Sequence, residues 1–209
     1  TKLKDNAQYR LDFADRVHKH LVAPSGALTR EANTARWQFW QSLMDNPIVA
    51  ESCRWGDYRR DVHPYSEGTY PLYTRESHWL PENNRVLNSY FVNRPATVMS
   101  QLRAASLYPT VDAPEFREST TTGPIIGSKA AGVGYVVAMH RPGAAGTIYY
   151  TPNGAEPRVY YAGTVSSAAL TYTSPLTLNT TLTLKARVFS SGTWSALNEG
   201  NGREKSMSG

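Results

Sequence analysis

Two different periodicities of apolar and polar residues run along this chain, and they change over near residue 111. From Asn6 to about Val22, Tyr9, Phe13, Val17 and Leu21 recur every four residues while Asp12, Asp15, Arg16 and Lys19 fall opposite them, which predicts an amphipathic helix. Pro24-Ser-Gly26 ends it. Thr29 stands as N-cap of a second helix carrying Trp37, Phe39, Trp40 and Leu43, and Asn46-Pro47 opens a third that stops near Trp55-Gly56. Residues 57 to 78 have no apolar period and predict an irregular loop, too long for a simple connector and suited to covering a partner or lining a site. Leu80-Pro81 starts another helix through Val86, Leu87, Tyr90 and Phe91. Asn93-Arg-Pro95 is expected to break it and launch a last one, Ala96 to Leu107, before Tyr108-Pro109.

From Asp112 the pattern shortens to period-two runs. Pro114-Glu-Phe116 predicts a leading edge strand, followed by strands at 135–139, 147–150, 159–161, 169–172, 182–189 and 193–197. Turn residues separate them, among them Asn153-Gly154, Ala162-Gly163 and Ser191-Gly192. In the 182–189 run Leu182, Leu184, Ala186 and Val188 alternate with Thr183, Lys185 and Arg187, which predicts one buried face. About seven short strands in this space predict an antiparallel, immunoglobulin-like sandwich without a cysteine pair. The fold class is therefore α+β by segregated domains, an N-terminal helical bundle segment over 1–110 and an Ig-like β-sandwich over 111–204. Residues 205–209 form a tail, with fraying expected from Asn201 onward.

Charge narrows the partners. Twenty-two basic and 17 acidic residues give a net charge of +5, but no run of five like charges occurs, so nucleic acid is not expected as a partner. No stretch of 18 apolar residues predicts a membrane span. Cys53, the single cysteine, lies in the apolar Ile48 to Trp55 segment and is expected to be a small buried side chain. The chain begins at Thr1 rather than Met, from which a longer parent polypeptide is expected. Gly123-Pro-Ile-Ile-Gly127-Ser-Lys129 and Gly132-Val-Gly134 have neither the spacing nor the following helix of phosphate or dinucleotide loops, and read as turns. His18 and His20 point to different helix faces and form no metal pair. No metal site and no cofactor are assigned.

Two groups of residues carry possible chemistry. Asp57, Asp61 and His63 combine carboxylates with an imidazole and are the weak candidates for acid-base work, although Arg54, Arg59 and Arg60 interleave with them as in surface ion pairs. Tyr149, Tyr150, Tyr160, Tyr161, Tyr172 and Trp194 are dense for a small sandwich, and rings of this kind stack on sugars or peptides. Tyr149, Tyr150, Tyr160, Tyr161 and Trp194 are therefore the candidates for carbohydrate or partner binding. Adjacent tyrosines on a strand must point to opposite faces, so about half of these rings serve the core.

Ile148-Tyr-Tyr-Thr-Pro-Asn-Gly-Ala-Glu-Pro157, Tyr172-Thr-Ser-Pro-Leu-Thr-Leu178 and Thr183-Leu-Lys-Ala-Arg-Val188 together resemble the chitobiase/β-hexosaminidase C-terminal module over about residues 112 to 200. Asn153 stands where that family usually has Asp, and Ala155 where it has Ser. The helical half is similar to the C-terminal end of the spore-coat CotH-type kinase-like region. The matching pieces are Phe13 to Leu21, Ala50 to Asp57, Trp79 to Arg85 and Leu102 to Pro109. The nucleotide and metal motifs of that family lie upstream of the matched segment, so the resemblance implies no catalytic residue here. ATP and a divalent metal would belong to an upstream kinase-like lobe of the parent protein. The resemblance implies a non-catalytic C-terminal region of a secreted or cell-envelope bacterial protein, acting as spacer and interaction module. The surplus of Trp37, Phe39, Trp40, Trp55, Trp79 and Phe91 fits packing against that upstream domain. The aromatic stripe supports the alternative of a carbohydrate-binding module that contacts polysaccharide. A free-standing hydrolase built on Asp57, Asp61 and His63 is the remaining alternative.

Overall fold

A computed structural model describes residues 2–62, 70–131, 133–143 and 145–204, with side chains described except at 129–131 and 201–204. The chain packs as two compact units, Thr1–Thr29 with Val98–Gly209, and Arg30–Thr97. Helices precede antiparallel sheets, as the change of period predicts.

The Arg30–Thr97 unit contains α3 (Arg30–Met44), α4 (Pro47–Trp55), α5 (Leu80–Arg85) and the start of α6 (Phe91–Ala104). α1 (Lys2–Asp5) and α2 (Ala7–Val17) belong to the other unit. Asn83 is the polar pivot of the Arg30–Thr97 unit, accepting from the Trp37 indole at 2.7 Å and donating to the Trp79 carbonyl at 2.7 Å. Trp37 meets Phe91 edge-on at 5.8 Å. Arg75 holds Asp45 through two nitrogens at 2.6 and 3.0 Å. Three expectations are corrected here. The irregular stretch contains π-helical turns at Tyr58–Val62 and Arg75–Trp79, the second capped by the Thr74 hydroxyl, which accepts from Ser77 N. Pro95 does not break the helix; α6 runs through it. Asn93 Nδ2 bonds the Ser89 carbonyl and the Thr97 hydroxyl bonds the Asn93 carbonyl on either side of the proline. Cys53 is exposed, because α4 carries no fully buried residue.

α6 ends in the other unit by a Schellman arrangement. Leu107 N bonds Leu102 O and Ser106 N bonds Arg103 O, with Ser106 in the left-handed region at φ 56° where glycine is usual. The strands follow: β1 (Glu115–Glu118), β2 (Lys129–Ala131), β3 (Tyr135–His140), β4 (Thr147–Thr151), β5 (Leu170–Thr171), β6 (Leu176–Leu178), β7 (Leu182–Ser190), β8 (Thr193–Trp194) and β9 (Asn198–Glu204). One sheet has the order β1-β3-β6 and the other β2-β9-β7-β4-β5, with β8 also on β7. All pairings are antiparallel except β2 with β9. Phe116, Val137, Met139 and Leu178 from the first sheet interdigitate with Ile148, Leu184, Ala186 and Val188 from the second. That is the sandwich core. The alternation read in 182–189 thus sends the expected residues inward.

The turn at 152–154 forms as the residues dictate. Asn153 Oδ1 accepts from Ala155 N at 3.1 Å, and Gly154 takes φ 75° while its N–H bonds Thr183 O. Three strand expectations change. Residues 159–161 are the tip of a loop, since Gly163 and Tyr161 both adopt positive φ and fold the chain back. Lys129–Ala131, of which only Lys129 falls in a run read as a turn, is a strand, and so is Asn198–Glu204, read from Asn201 as fraying, because β7 offers it an edge.

The face of β7 opposite the core is only partly solvated: Thr183, Lys185 and Phe189 are half-buried, and Arg187, 2 % exposed, meets Asp15 of α2. Its guanidinium bonds both Asp15 oxygens at 2.8 and 2.6 Å, the Ser195 carbonyl at 2.9 Å and Glu156 at 2.5 Å. Asp15 Oδ1 also accepts from Leu197 N. Burial opposes this charge, but the two carboxylates outweigh it and hold the Arg187 pKa above its ordinary value. A small cluster of Ala14, Tyr108, Ala113 and Ala196 closes the seam, with Val17, Met99 and Leu102 against it. Beside it the buried His18 places Nδ1 at 3.0 Å from the Tyr108 hydroxyl.

Two predictions follow from this seam. Asp15→Ala leaves a buried guanidinium half-paired and is expected to cost about 3–5 kcal/mol, read as a lower urea midpoint. Asp15→Leu with Arg187→Met recovers much of the loss, while Arg85→Gln, which breaks the exposed pair with Glu82, leaves the midpoint unchanged. Burial lowers the His18 pKa from 6.5 to about 4, against the opposing Asp15 charge and the Asn198 side chain. The unfolded chain then binds the proton first, so stability is full above about pH 6.5 and falls as pH drops toward 4. The loss approaches about 3 kcal/mol. His18→Gln flattens this segment of the pH–stability curve, and an unaltered slope would refute the assignment.

Candidate ligand-binding groove

The aromatic residues separate by face. Tyr150 turns toward the core and meets Tyr172 edge-on at 6.4 Å. Tyr149 turns the other way and lies 5.8 Å from Trp194. Trp194 is buried, packed on Phe189 at 4.7 Å, with its indole N–H on the Gly163 carbonyl at 2.6 Å. Tyr160 and Tyr161 leave the sheet altogether. They are 50 % and 78 % exposed, at the tip of the loop between Arg158 and Val165.

That loop is held by backbone and by α2. Val159 N bonds Thr164 O, Ala162 N bonds Tyr160 O and Gly163 N bonds Val159 O. Gly163 takes φ 72°, which its missing Cβ permits, whereas Tyr161 takes φ 61°, a conformation that costs a residue with a Cβ on the order of 1 kcal/mol. Contacts from α2 hold it there. Gln8 Oε1 accepts from Tyr161 N at 3.2 Å and from Arg158 Nη2 at 2.5 Å, while Gln8 Nε2 donates to Asp12 at 2.7 Å. The Tyr160 hydroxyl donates to Asp12 at 2.5 Å, a bond that raises the phenol pKa and keeps it a donor.

Between this loop, the N-terminal end of α2, the end of α6 and the β7–β8 turn lies a groove of about 790 Å³. Tyr161, Tyr108 and Trp194 supply aromatic surface; Arg10, Arg103 and Arg158 supply charge. None of the described residues lining it is acidic. Arg103 pairs with Asp112 outside the groove and lies over the Tyr108 ring, and Arg10 bonds the Lys4 carbonyl. Arg158 is different: it is 6 % exposed, its Nε is buried without a partner, and among the described residues its hydrogen-bond partner is the neutral Gln8 amide. Burial, then the Arg187 charge, lowers its pKa, against Glu156, Asp15 and Asp12. A second cleft of about 620 Å³ is electrically balanced, with Asp12, Asp15 and Glu199 facing Arg16, Lys19 and Lys185.

Two of the three acid-base candidates, Asp57 and Asp61, are among the described residues. Asp61 is exposed and doubly bonded by Arg60, which lowers its pKa and suits an ion pair, not a base working near neutrality. Asp57 is exposed on the turn before it, and His63 lies outside the described residues. Among the described residues no group of three or more His, Cys, Asp or Glu is placed to hold a metal, and no helix is long and apolar enough to cross a membrane. Sequence reasoning missed Gln8 and Arg158. Each reads as an ordinary polar residue of a helix or a strand end, and their pairing spans 150 positions.

The profile of the family described as Fn3 associated matches residues 139–197, the stretch from β3 through β8 that carries the Tyr160–Tyr161 loop. No curated protein and no solved structure matches the chain. The match and the two packed sheets agree on an Ig-like, fibronectin-associated β-sandwich as the module that presents the groove.

Proposed function

We propose that this chain is a non-catalytic interaction region whose sandwich unit binds extended polysaccharide, within a secreted or cell-envelope bacterial protein. One observation carries the reading: the Tyr161 ring is 78 % exposed yet sits on a backbone clamped by Gln8, beside a groove floored with Trp194 and Tyr108. A ring on a fixed backbone, met edge-on by Tyr160 at 4.6 Å, is a stacking platform, because part of the conformational entropy of ordering it has been spent in folding. The fibronectin-associated match supports an extracellular setting for such a module. The carbohydrate site of the sequence reading thereby contracts to Tyr160 and Tyr161, with Trp194 as floor and Tyr149 and Tyr150 as packing residues. Retention on insoluble polysaccharides tests it. Tyr161→Ala is expected to weaken retention about tenfold at unchanged melting temperature, whereas Tyr58→Ala, exposed in the other unit, has no effect. Failure of the unaltered protein to bind any glycan would remove the reading.

A second reading concerns the Arg30–Thr97 unit, where Phe39, Trp40, Leu43, Met44 and Trp55 are about half exposed or more. Apolar rings gathered on α3 and α4 support the docking of an upstream kinase-like domain of CotH type, with residues 1–110 as its C-terminal end and ATP and metal confined to that domain. A longer polypeptide that includes upstream sequence is expected to slow hydrogen exchange of α3 and α4 relative to this chain. Equal exchange rates in the two would exclude that docking.

A further inference from the structure

Resting on the polysaccharide reading above, we infer that the groove selects a saccharide bearing carboxylates, such as a uronic-acid chain, and that Arg158 supplies the fixed positive charge at its floor. A buried guanidinium ordinarily has a carboxylate partner, as Arg187 does with Asp15 and Glu156. Arg158 lies in the same unit, 6 % exposed, and has a neutral amide instead. Its Nε donor is unsatisfied, and it lines the groove that Arg10 and Arg103 also line, without an acidic residue among the described lining. Asn6, Ala7 and Gln8 at the start of α2 add the positive end of an 11-residue helix to the same rim. A carboxylate entering there restores the missing countercharge in a site already desolvated on one side, where a charge-assisted, two-pronged bond to arginine is strongest. The exposed Tyr161 ring accounts for the rest of the ligand, because a flat aromatic surface stacks on a pyranose face and has no equivalent use for a purely acidic peptide.

The test compares oligogalacturonate, its methyl ester and a glutamate oligopeptide by calorimetric titration of the full chain. The expected result is binding of the uronate at least about tenfold tighter than the ester, weakening as sodium chloride rises, with the peptide weaker than either sugar. Arg158→Gln removes the preference for uronate over ester while Tyr161→Ala weakens both sugars equally. Arg158 also holds Gln8, so melting temperature is recorded for each variant. Should Arg158→Gln fail to fold, Arg10→Gln with Arg103→Gln is expected to lower the uronate-to-ester ratio and its salt dependence. Equal affinity for uronate and ester overturns this inference and leaves the polysaccharide reading standing. Peptide binding as tight as uronate overturns the saccharide assignment. Absence of binding by either sugar overturns this inference, and the polysaccharide reading falls with it only if the insoluble polysaccharides also fail to retain the protein.

Discussion

The architecture of the sandwich unit depends on one buried ion pair. Arg187 stands on the face of β7 opposite the core, and Asp15 on α2 makes its place there an interior one. Two charges removed from water are costly unless every lone pair and proton is used. Here the guanidinium also bonds Glu156 and the Ser195 carbonyl, while Asp15 also takes the Leu197 amide. The pair therefore fixes the position of α2 along the sheet, where apolar contact alone would permit sliding. Ala14 and Ala196, both fully buried, allow the close approach that the pair requires.

Once α2 is in place, its earlier turns reach the loop at 158–165. Gln8, two turns before Asp15, serves Arg158, Tyr161 and Asp12 with one side chain, and Asp12 receives Tyr160. The helix thus acts as a strut for a loop whose left-handed tyrosine would otherwise relax. The groove is a by-product of this strutting, since its walls are the start of α2, the Ser106 turn that ends α6, and the Tyr161 loop. Two arginines on neighbouring segments illustrate the two outcomes for a buried cation: Arg187 is fully compensated within the fold, and Arg158 is not.

Local chemistry was legible wherever neighbours in sequence are neighbours in space. Pro47 at the start of α4, the Asn153-Gly154 turn and the inward row Leu184, Ala186, Val188 all form as their residue types require. Errors arose where a strong local signal met distant support. Pro95 is a separate case: it reads as a helix breaker, yet α6 runs through it. Val159-Tyr-Tyr161 has β-favouring residues, yet Gly163 and the Gln8 contact fold it into a loop. The candidate site shows the same division: Tyr160 and Tyr161 were recognisable as binding rings, but Gln8 and Arg158 were not.

By itself, the sequence determined the helical and stranded halves, the position of each major turn and the inward face of the core strands, because these follow from period, φ preference and side-chain branching within a few residues. Tertiary structure alone decided that Arg187 on the outer face of β7 is buried, that Tyr160 and Tyr161 stand clear of the sheet, and that Arg158 is a buried cation with no hydrogen-bonded carboxylate among the described residues. Those outcomes depend on contacts between residues separated by about 150 to 180 positions. Coulomb and desolvation energies at such sites are set by what folding brings near, which no local pattern encodes.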